Sequence, residues 1–122
     1  MNSVTIYHNP LCSKSRETLA LLQTRDITIK IVDYLNTPPD ITTLARIIKQ
    51  LGFNHARQLM RTKEACYQQL GLDNPALSEA ALLEAMATYP VLIERPIVIS
   101  GERAKLGRPP QQVLELFHSE PA

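Results

Sequence analysis

Cys12, one of two cysteines in the sequence, is the first candidate for a chemical role. Before it, an alternating β-branched and aromatic segment is broken by Asn-Pro, and a helical pattern follows. These signals predict a strand, a tight loop and a helix, with Cys12 at or just before the helix N-terminus. Unpaired backbone N–H groups and the helix dipole stabilise an anion at that place, and a thiolate is such an anion.

Two cations, Lys14 and Arg16, fall in the first turn of the predicted helix, where the helix dipole disfavours positive charge. A nearby anion would compensate both of them. A free cysteine with a pKa near 8.5 is only about 3% thiolate at pH 7, and the helix terminus, both cations and His8 would all increase that fraction. The alternative is a small buried cysteine that closes a loop, which is the commonest role of a free cysteine. The residues alone leave both interpretations open.

Three further arginines stand at positions that are unusual for a plain surface charge. Arg61 ends a predicted helix, whereas Arg95 and Arg108 each precede a proline, which holds their backbone extended. Guanidinium groups that converge would clamp a tetrahedral oxyanion through bidentate hydrogen bonds. The alternative for each arginine is a solvated charge or a partner for helix-end carbonyls, and the sequence does not show whether the three converge.

Composition limits the other classes of function. The 122 residues carry 13 Lys plus Arg against 12 Asp plus Glu, so a net charge of +1 provides no general attraction for nucleic acid or an acidic membrane. No apolar run approaches the roughly 20 residues of a membrane span. Two widely separated cysteines fit neither a zinc site nor a secreted disulfide framework. We therefore expect a cytoplasmic, monomeric, single domain over residues 1–122 that binds no metal.

Hydrophobic periodicity predicts the strands and helices around the candidate residues. Residues 27–32 alternate as a second strand, so the N-terminal part predicts a βαβ unit with parallel strands and the Cys12 loop at the C-terminal edge of the first strand. The intervening helix would bury Leu19, Ala20 and Leu22. Residues of about 40–89 predict an all-helical insertion.

The C-terminal part predicts a short strand at residues 91–93, a hairpin turning at Gly101-Glu102, and a final helix that buries Val113, Leu114 and Phe117. Within the insertion, Asn54 is the expected cap of a short helix. The predicted fold class is α/β, with a mixed sheet and an all-helical insertion between the N-terminal βαβ unit and the C-terminal ββα unit. This order of elements resembles a thioredoxin-like fold.

Six segments spread over about residues 3–117 share their order and approximate spacing with one known family. They are His8-Asn9-Pro10-Leu11-Cys12, Ser15-Arg16, Leu59-Met60-Arg61, Tyr67 through Leu72, Ile93-Glu94-Arg95-Pro96-Ile97-Val98 and Leu106-Gly107-Arg108-Pro109. In these segments the chain resembles the glutaredoxin-coupled arsenate reductase (ArsC) family, whose members have a thioredoxin-like fold. Several separate motifs in register make the resemblance specific for the family.

The resemblance implies an enzyme that reduces arsenate to arsenite. Cys12 would attack arsenate as a thiolate, and His8 would help to keep its pKa low. The oxyanion and its covalent adduct would be bound by residues that the family motifs supply, namely Ser15, Arg16, Arg61, Arg95 and Arg108. Glutathione, as a co-substrate, would attack the adduct, and glutaredoxin would regenerate the enzyme, so no bound cofactor is implied. The peptide bond before Pro96 would be cis.

Two departures from the family pattern affect the anion site. Family members often have Cys-Gly-Thr-Ser-Arg where this chain has Cys12-Ser13-Lys14-Ser15-Arg16. Family members often have an uncharged Asn at the position of Glu94. The Glu94 carboxylate of this chain could partly neutralise Arg95 or face solvent. Lys14 could add charge to the site or point away from it.

Two alternatives to arsenate reduction stay open. One is a thiol oxidoreductase of the same fold that acts on another oxyanion or on a glutathione mixed disulfide. The other is a regulatory protein similar to the Spx-like proteins that bind RNA polymerase, which usually carry Cys-x-x-Cys at the helix start. Here Ser15 stands where the second cysteine would be, so an external thiol must release any adduct on Cys12. Cys66, on a predicted helix, is expected to be a packing residue.

Overall fold

The computed structural model describes residues 3–117, which belong to two compact units. The first unit joins the chain up to Tyr34 with the chain from Arg95 onwards, and the second runs from Leu35 to Glu94. The second unit contains the predicted helical insertion of residues 40–89 together with its flanks. The prediction of one domain over residues 1–122 stays a prediction.

A four-stranded mixed sheet forms the centre of the first unit. Strand β1 (Ser3–Tyr7) pairs in parallel with β2 (Thr28–Val32), and β3 (Ile97–Ser100) pairs antiparallel with β1 on its other side. Strand β4 (Arg103–Leu106) completes the hairpin with β3, so the strand order is β2-β1-β3-β4. Gly101 has a φ of +61° in the hairpin turn, a conformation that favours glycine. The predicted mixed sheet and hairpin are confirmed.

Helix α1 (Ser13–Gln23) connects β1 to β2, and the chain ends its described part in a 3-10 helix over Pro110–Phe117. The core of this unit is made of six buried residues from the sheet, α1 and the 3-10 helix: Val4, Ile6, Leu22, Val98, Val113 and Leu116. The prediction that Ala20 and Leu114 are buried was wrong. Ala20 is exposed because α1 turns Ser15, Thr18 and Leu22 inward, and in the 3-10 helix Leu116 takes the buried position.

The two longer helices of the second unit each begin after a residue whose side chain caps them. Helix α2 (Ile41–Gln50) begins after Asp40, whose carboxylate accepts the N–H of Thr43 at 2.8 Å. Helix α4 (Glu79–Thr88) begins after Ser78, whose hydroxyl accepts a backbone N–H in the same way, and α2 contacts α4. A short α3 (Ala65–Gln69) and two 3-10 helices, Ala56–Leu59 and Pro90–Leu92, complete this unit. The buried side chains are mainly aliphatic, and they include Leu44, Ile47, Leu59, Leu82, Met86 and Leu92.

Two local predictions in the second unit were wrong. Residues 91–93 do not form a strand, because Pro90 starts a 3-10 turn and only Ile93 pairs, through an isolated antiparallel bridge to Met60. The helix after Asn54 is capped by His55 instead, whose Nδ1 accepts the N–H of Arg57 at 3.1 Å. No helix between residues 3 and 117 is long and apolar enough to cross a membrane.

Candidate active site

Cys12 occupies the N-cap position of α1, which confirms its predicted place at the helix start. Its backbone is extended, and its carbonyl accepts the N–H of Arg16 at 3.0 Å. Asn9 closes the preceding loop: its carbonyl accepts the N–H of Cys12 at 3.0 Å and its side-chain oxygen accepts the N–H of Leu11 at 3.0 Å. The loop therefore holds the thiol at the positive end of the helix dipole.

The surroundings of the Cys12 sulfur favour the thiolate over the thiol. The side chain is only 8% exposed. Burial by itself raises the pKa of Cys12, but the backbone N–H of Ser15, the Arg95 guanidinium and the backbone N–H of Lys14 outweigh it, and the pKa is lowered. Hydrogen bonds and positive charge directed at the sulfur act on the ionised form, which is the nucleophilic one. The structure thus supports a reactive cysteine over an inert packing residue.

Because the pKa of Cys12 is lowered, its alkylation by iodoacetamide should remain fast at pH values where an ordinary thiol is protonated. The rate follows the thiolate fraction, so it rises with pH through the lowered pKa and is constant above it. The measurement is the alkylation rate of the Cys12 peptide by mass spectrometry across a pH series, with glutathione in the same tube as the reference thiol. A midpoint at or above that of glutathione would contradict the prediction.

Arg95 and Arg108, which sequence reasoning could not place relative to each other, converge near Cys12. Arg108 Nε donates to the Arg95 carbonyl at 2.8 Å, and Arg108 Nη2 lies 3.8 Å from the Cys12 sulfur. The Arg95–Pro96 and Arg108–Pro109 peptide bonds are both cis, and the second was not anticipated from the sequence. Two guanidinium groups therefore stand at the sulfur, where a bound oxyanion would need positive donors.

Gly107 precedes Arg108 at a point where the backbone packs too closely against Thr18 and Pro96 for a side chain to fit. Its N–H donates to the Pro96 carbonyl at 3.0 Å, and a Cβ at this position would overlap the Thr18 side chain and come within 2.7 Å of Pro96 Cγ. The close approach at Gly107 was not predicted from the sequence, although the glycine in the Gly-Arg-Pro-Pro segment was the signal available for it. Thr18 is itself fully buried and donates to the Lys14 carbonyl at 2.7 Å, so it cannot easily move away.

Replacing Gly107 with alanine should lower the free energy of unfolding by about 1–3 kcal/mol, the usual cost of overpacking, and should also lower activity by displacing Arg108. Gly101→Ala is the control, because its cost comes only from positive φ and no described atom lies within 4 Å of the added Cβ. Thermal unfolding and the rate of arsenite formation measure the two effects. A Gly107→Ala protein that matches wild type in both would show that the close approach is unimportant.

His8 and Ser15 form a buried pair beneath the loop. His8 Nδ1 lies 2.7 Å from Ser15 Oγ, and the same oxygen accepts the N–H of Asn9 at 3.0 Å. Burial lowers the pKa of His8, Asp33 opposes that effect, and Arg16 adds to it, so the imidazole is mostly neutral at pH 7. The Ser15 hydroxyl is thus used within the loop, and its backbone N–H is the part that faces the sulfur. The direct effect of His8 on Cys12 stays a prediction.

The two cations of the first helical turn have local partners. Arg16 Nη1 donates to the Pro10 carbonyl at 2.9 Å, which braces the loop. Lys14 Nζ lies 3.8 Å from a carboxylate oxygen of Glu17, with both side chains largely exposed. Glu17 is an anionic partner for Lys14, whereas the Pro10 carbonyl is a neutral partner for Arg16. Binding of an oxyanion by Arg16 stays a prediction.

Arg61 belongs to the second unit, where two carboxylates hold its side chain. Arg61 Nε donates to Glu64 at 3.0 Å, and Arg61 Nη1 donates to Glu94 at 2.7 Å. Burial lowers the pKa of the Arg61 guanidinium, but both carboxylates raise it by more, and the net shift is upward. Pairing of Glu94 with Arg61 is an arrangement that the sequence did not suggest. The role of Arg61 in anion binding stays a prediction from the resemblance.

The remaining chemistry-bearing groups are less informative. Cys66 lies on α3 in the second unit and is partly exposed. Among residues 3–117, no three His, Cys, Asp or Glu side chains come together as they would to hold a metal ion. From the sequence, Asn9 was interpreted as the end of the first strand and as part of the family motif. In the structure its side-chain oxygen and its backbone carbonyl also shape the loop around Cys12.

Comparisons with known proteins agree on one family. A model of the ArsC family matches residues 7–116. A protein of Haemophilus influenzae named arsenate reductase is 54% identical over 115 residues, which are 94% of this chain and 99% of that protein. A protein of Escherichia coli named YfgD is 54% identical over 113 residues, covering 93% of this chain and 95% of that one.

A solved structure extends the likeness to the fold. The arsenate reductase of Vibrio cholerae superposes with a TM-score of 0.91 at 54% sequence identity, covering 93% of this chain and 97% of that one. The superposition covers most of both chains, so the predicted thioredoxin-like fold class is confirmed. With a family model that covers most of the sequence and relatives of this identity, the chain belongs to the ArsC family.

Proposed function

We propose that the protein is an arsenate reductase in which Cys12 is the nucleophile and glutathione with glutaredoxin supplies the electrons. The observation that carries the proposal is a cysteine of lowered pKa at a helix N-terminus, with a guanidinium nitrogen 3.8 Å from its sulfur. This arrangement lies in a chain that resembles proteins named arsenate reductase over nearly its full length. A thiolate beside fixed cations is suited to attack on an anionic electrophile.

The first step of the proposed reaction is substitution at arsenic. The Cys12 thiolate attacks arsenate, a sulfur–arsenic bond forms, and one arsenic–oxygen bond breaks with the oxygen leaving as water after protonation. Arsenic keeps its oxidation state in this step. Arg95 and Arg108 would offset the negative charge of the arsenate oxygens, which otherwise repels a thiolate. Arg16, Arg61 and the backbone around Ser15 would add donors, on the resemblance alone.

The later steps need thiols from outside the chain. Glutathione would attack the arsenic of the adduct, so that a second sulfur–arsenic bond forms and a second oxygen leaves as water. The glutaredoxin thiolate would then attack the glutathione sulfur: a mixed disulfide forms, the glutathione sulfur–arsenic bond breaks, and arsenic keeps its electron pair and is reduced. Water would hydrolyse the remaining bond between arsenic and Cys12, which releases arsenite and returns Cys12 to the thiolate. Ser15 stands where a resolving cysteine would be needed for an internal disulfide, which favours this external route. The proposal includes a monomeric protein in the cytoplasm, where glutathione is abundant.

The experiment that tests the proposal measures arsenite formed from arsenate with glutathione and glutaredoxin, and with each reductant omitted in turn. Turnover that requires both supports the proposal. Cys12 alkylation at low pH without any arsenite would instead favour a thiol oxidoreductase that acts on another oxyanion or on a glutathione mixed disulfide. Loss of both signals would favour a regulatory protein on the same fold.

A further inference from the structure

The residue before Cys12 is an exposed leucine. The Leu11 side chain is 87% exposed, whereas Ile31, the next most exposed large apolar side chain among residues 3–117, is 51% exposed. Single exposed apolar residues are common on protein surfaces, so exposure alone does not identify a function. Leu11 differs from the others because it lies next to the candidate nucleophile and because its backbone is held by side chains.

The peptide unit between Pro10 and Leu11 is hydrogen-bonded at both of its polar atoms. Arg16 Nη1 donates to its carbonyl oxygen at 2.9 Å, and its N–H donates to Asn9 Oδ1 at 3.0 Å. The Pro10 ring also restricts the backbone dihedral φ of that residue. The loop therefore presents Leu11 from a backbone held in one conformation. An apolar side chain presented in this way loses less conformational entropy on contact with a partner than one on a mobile loop.

The reaction at Cys12 brings other thiols to this surface. Ser15 stands at the position where a second cysteine could close an internal disulfide, so an external thiol must act on any group bound to Cys12. The Cys12 side chain is only 8% exposed, and the Cα atoms of neighbouring residues are about 3.8 Å apart. A protein that brings its own cysteine to Cys12 therefore comes into contact with Leu11. A small thiol can reach the sulfur and leave most of the leucine in water.

We propose that Leu11 is the apolar centre of a docking surface, formed with Pro10, Lys14 and Arg16, for the protein thiol that regenerates Cys12. The inference rests on the proposed function, in which that thiol belongs to glutaredoxin. Pro10 and Arg16 are exposed, and the Lys14 side chain is 44% exposed, so cations surround the apolar centre. The surface fits a partner that has apolar residues beside its reactive cysteine and carboxylates around them.

The test is Leu11→Ala, which removes most of the exposed apolar surface and keeps the backbone. We expect a KM for glutaredoxin in arsenite formation that is roughly three- to tenfold higher. Alkylation of Cys12 by iodoacetamide should not change, because a small reagent makes no use of the leucine. Leu11→Met keeps an apolar side chain of similar size and should restore the wild-type KM. Leu70→Ala is the matched control, because it truncates a leucine that is 42% exposed in the second unit.

A second readout needs no arsenate. Oxidised glutathione converts Cys12 to a mixed disulfide, in a Cys66→Ser background that leaves a single cysteine in the chain. The glutaredoxin thiolate attacks the glutathione sulfur of this disulfide, a disulfide between glutaredoxin and glutathione forms, and Cys12 leaves as the thiolate. The rate of this reduction should fall roughly three- to tenfold in Leu11→Ala, whereas the rate of reduction by dithiothreitol should not change.

The two readouts separate this inference from the proposed function. If wild type forms no arsenite but Leu11→Ala still slows reduction of the mixed disulfide by glutaredoxin, the proposed function fails and the docking surface stands. If arsenite forms and Leu11→Ala matches Leu70→Ala in both readouts, the inference is overturned and the proposed function stands. An equal loss of rate with dithiothreitol or iodoacetamide would also overturn the inference, because the substitution would then act on the loop around Cys12.

Discussion

Replacing Cys12 with serine is expected to lower arsenite formation by about 10³-fold or more, because removal of a covalent nucleophile takes away most of an enzyme's rate enhancement. A hydroxyl has too high a pKa to ionise in the place of the thiol, and the helix terminus and guanidinium groups cannot close that gap. Arsenite release with glutathione and glutaredoxin, measured at saturating arsenate, is the readout.

The expected loss at position 12 is chemical and not a loss of folding. Serine is among the preferred N-cap residues, since its oxygen can accept a backbone N–H of the first helical turn, so Cys12→Ser should unfold at or above the wild-type temperature. Cys66→Ser is the matched control, because it removes the other thiol of the chain and should leave turnover unchanged. Substantial arsenite formation by Cys12→Ser, or its loss in Cys66→Ser, would place the nucleophile elsewhere.

Replacing Arg95 with methionine should lower kcat/KM for arsenate by about 10²-fold, the usual size of the effect when one donor to a developing or bound oxyanion is removed. Two causes act together. The substrate loses a positive donor, and the Cys12 thiolate loses the guanidinium that helps to lower its pKa. The Arg95 carbonyl remains available to Arg108, so the position of the second guanidinium should be preserved.

The pH dependence of Cys12 alkylation tests the second cause, which is the effect of the Arg95 guanidinium on the pKa of Cys12. The lowered pKa of Cys12 means that the thiolate is present down to a lower pH than in an ordinary thiol, and loss of Arg95 moves that boundary upward. The alkylation profile of Arg95→Met should therefore shift to higher pH, whereas Arg95→Lys should shift less because it keeps the charge. Arg103→Met, an exposed arginine on β4, is the control. An unshifted alkylation profile in Arg95→Met would mean that other groups are responsible for the lowered pKa of Cys12.

Local signals in the sequence were sufficient for the part of the site that is contiguous in the chain. The alternation before His8 and the Asn9-Pro10 break predicted the strand and loop, and the structure has β1, the loop and α1 in that order with Cys12 at the cap. Strand alternation, turn residues and helix caps depend on neighbours within a few positions, which is why such elements can be predicted. The failures, such as residues 91–93, came where a proline turn and a strand share the same apolar run.

The contacts made by the arginines depend on the tertiary structure. Arg108 reaches a sulfur that is distant in the sequence, and Glu94 pairs with Arg61, which lies 33 positions away. Each contact is set by how strands and turns bring separate segments together, which no local pattern encodes. Motifs and hydrophobic patterns in the sequence were enough to indicate the family, the mixed α/β order and the identity of the candidate nucleophile. The folded chain was needed to see which guanidinium groups approach the thiolate and which pair with carboxylates, because those distances come from long-range packing.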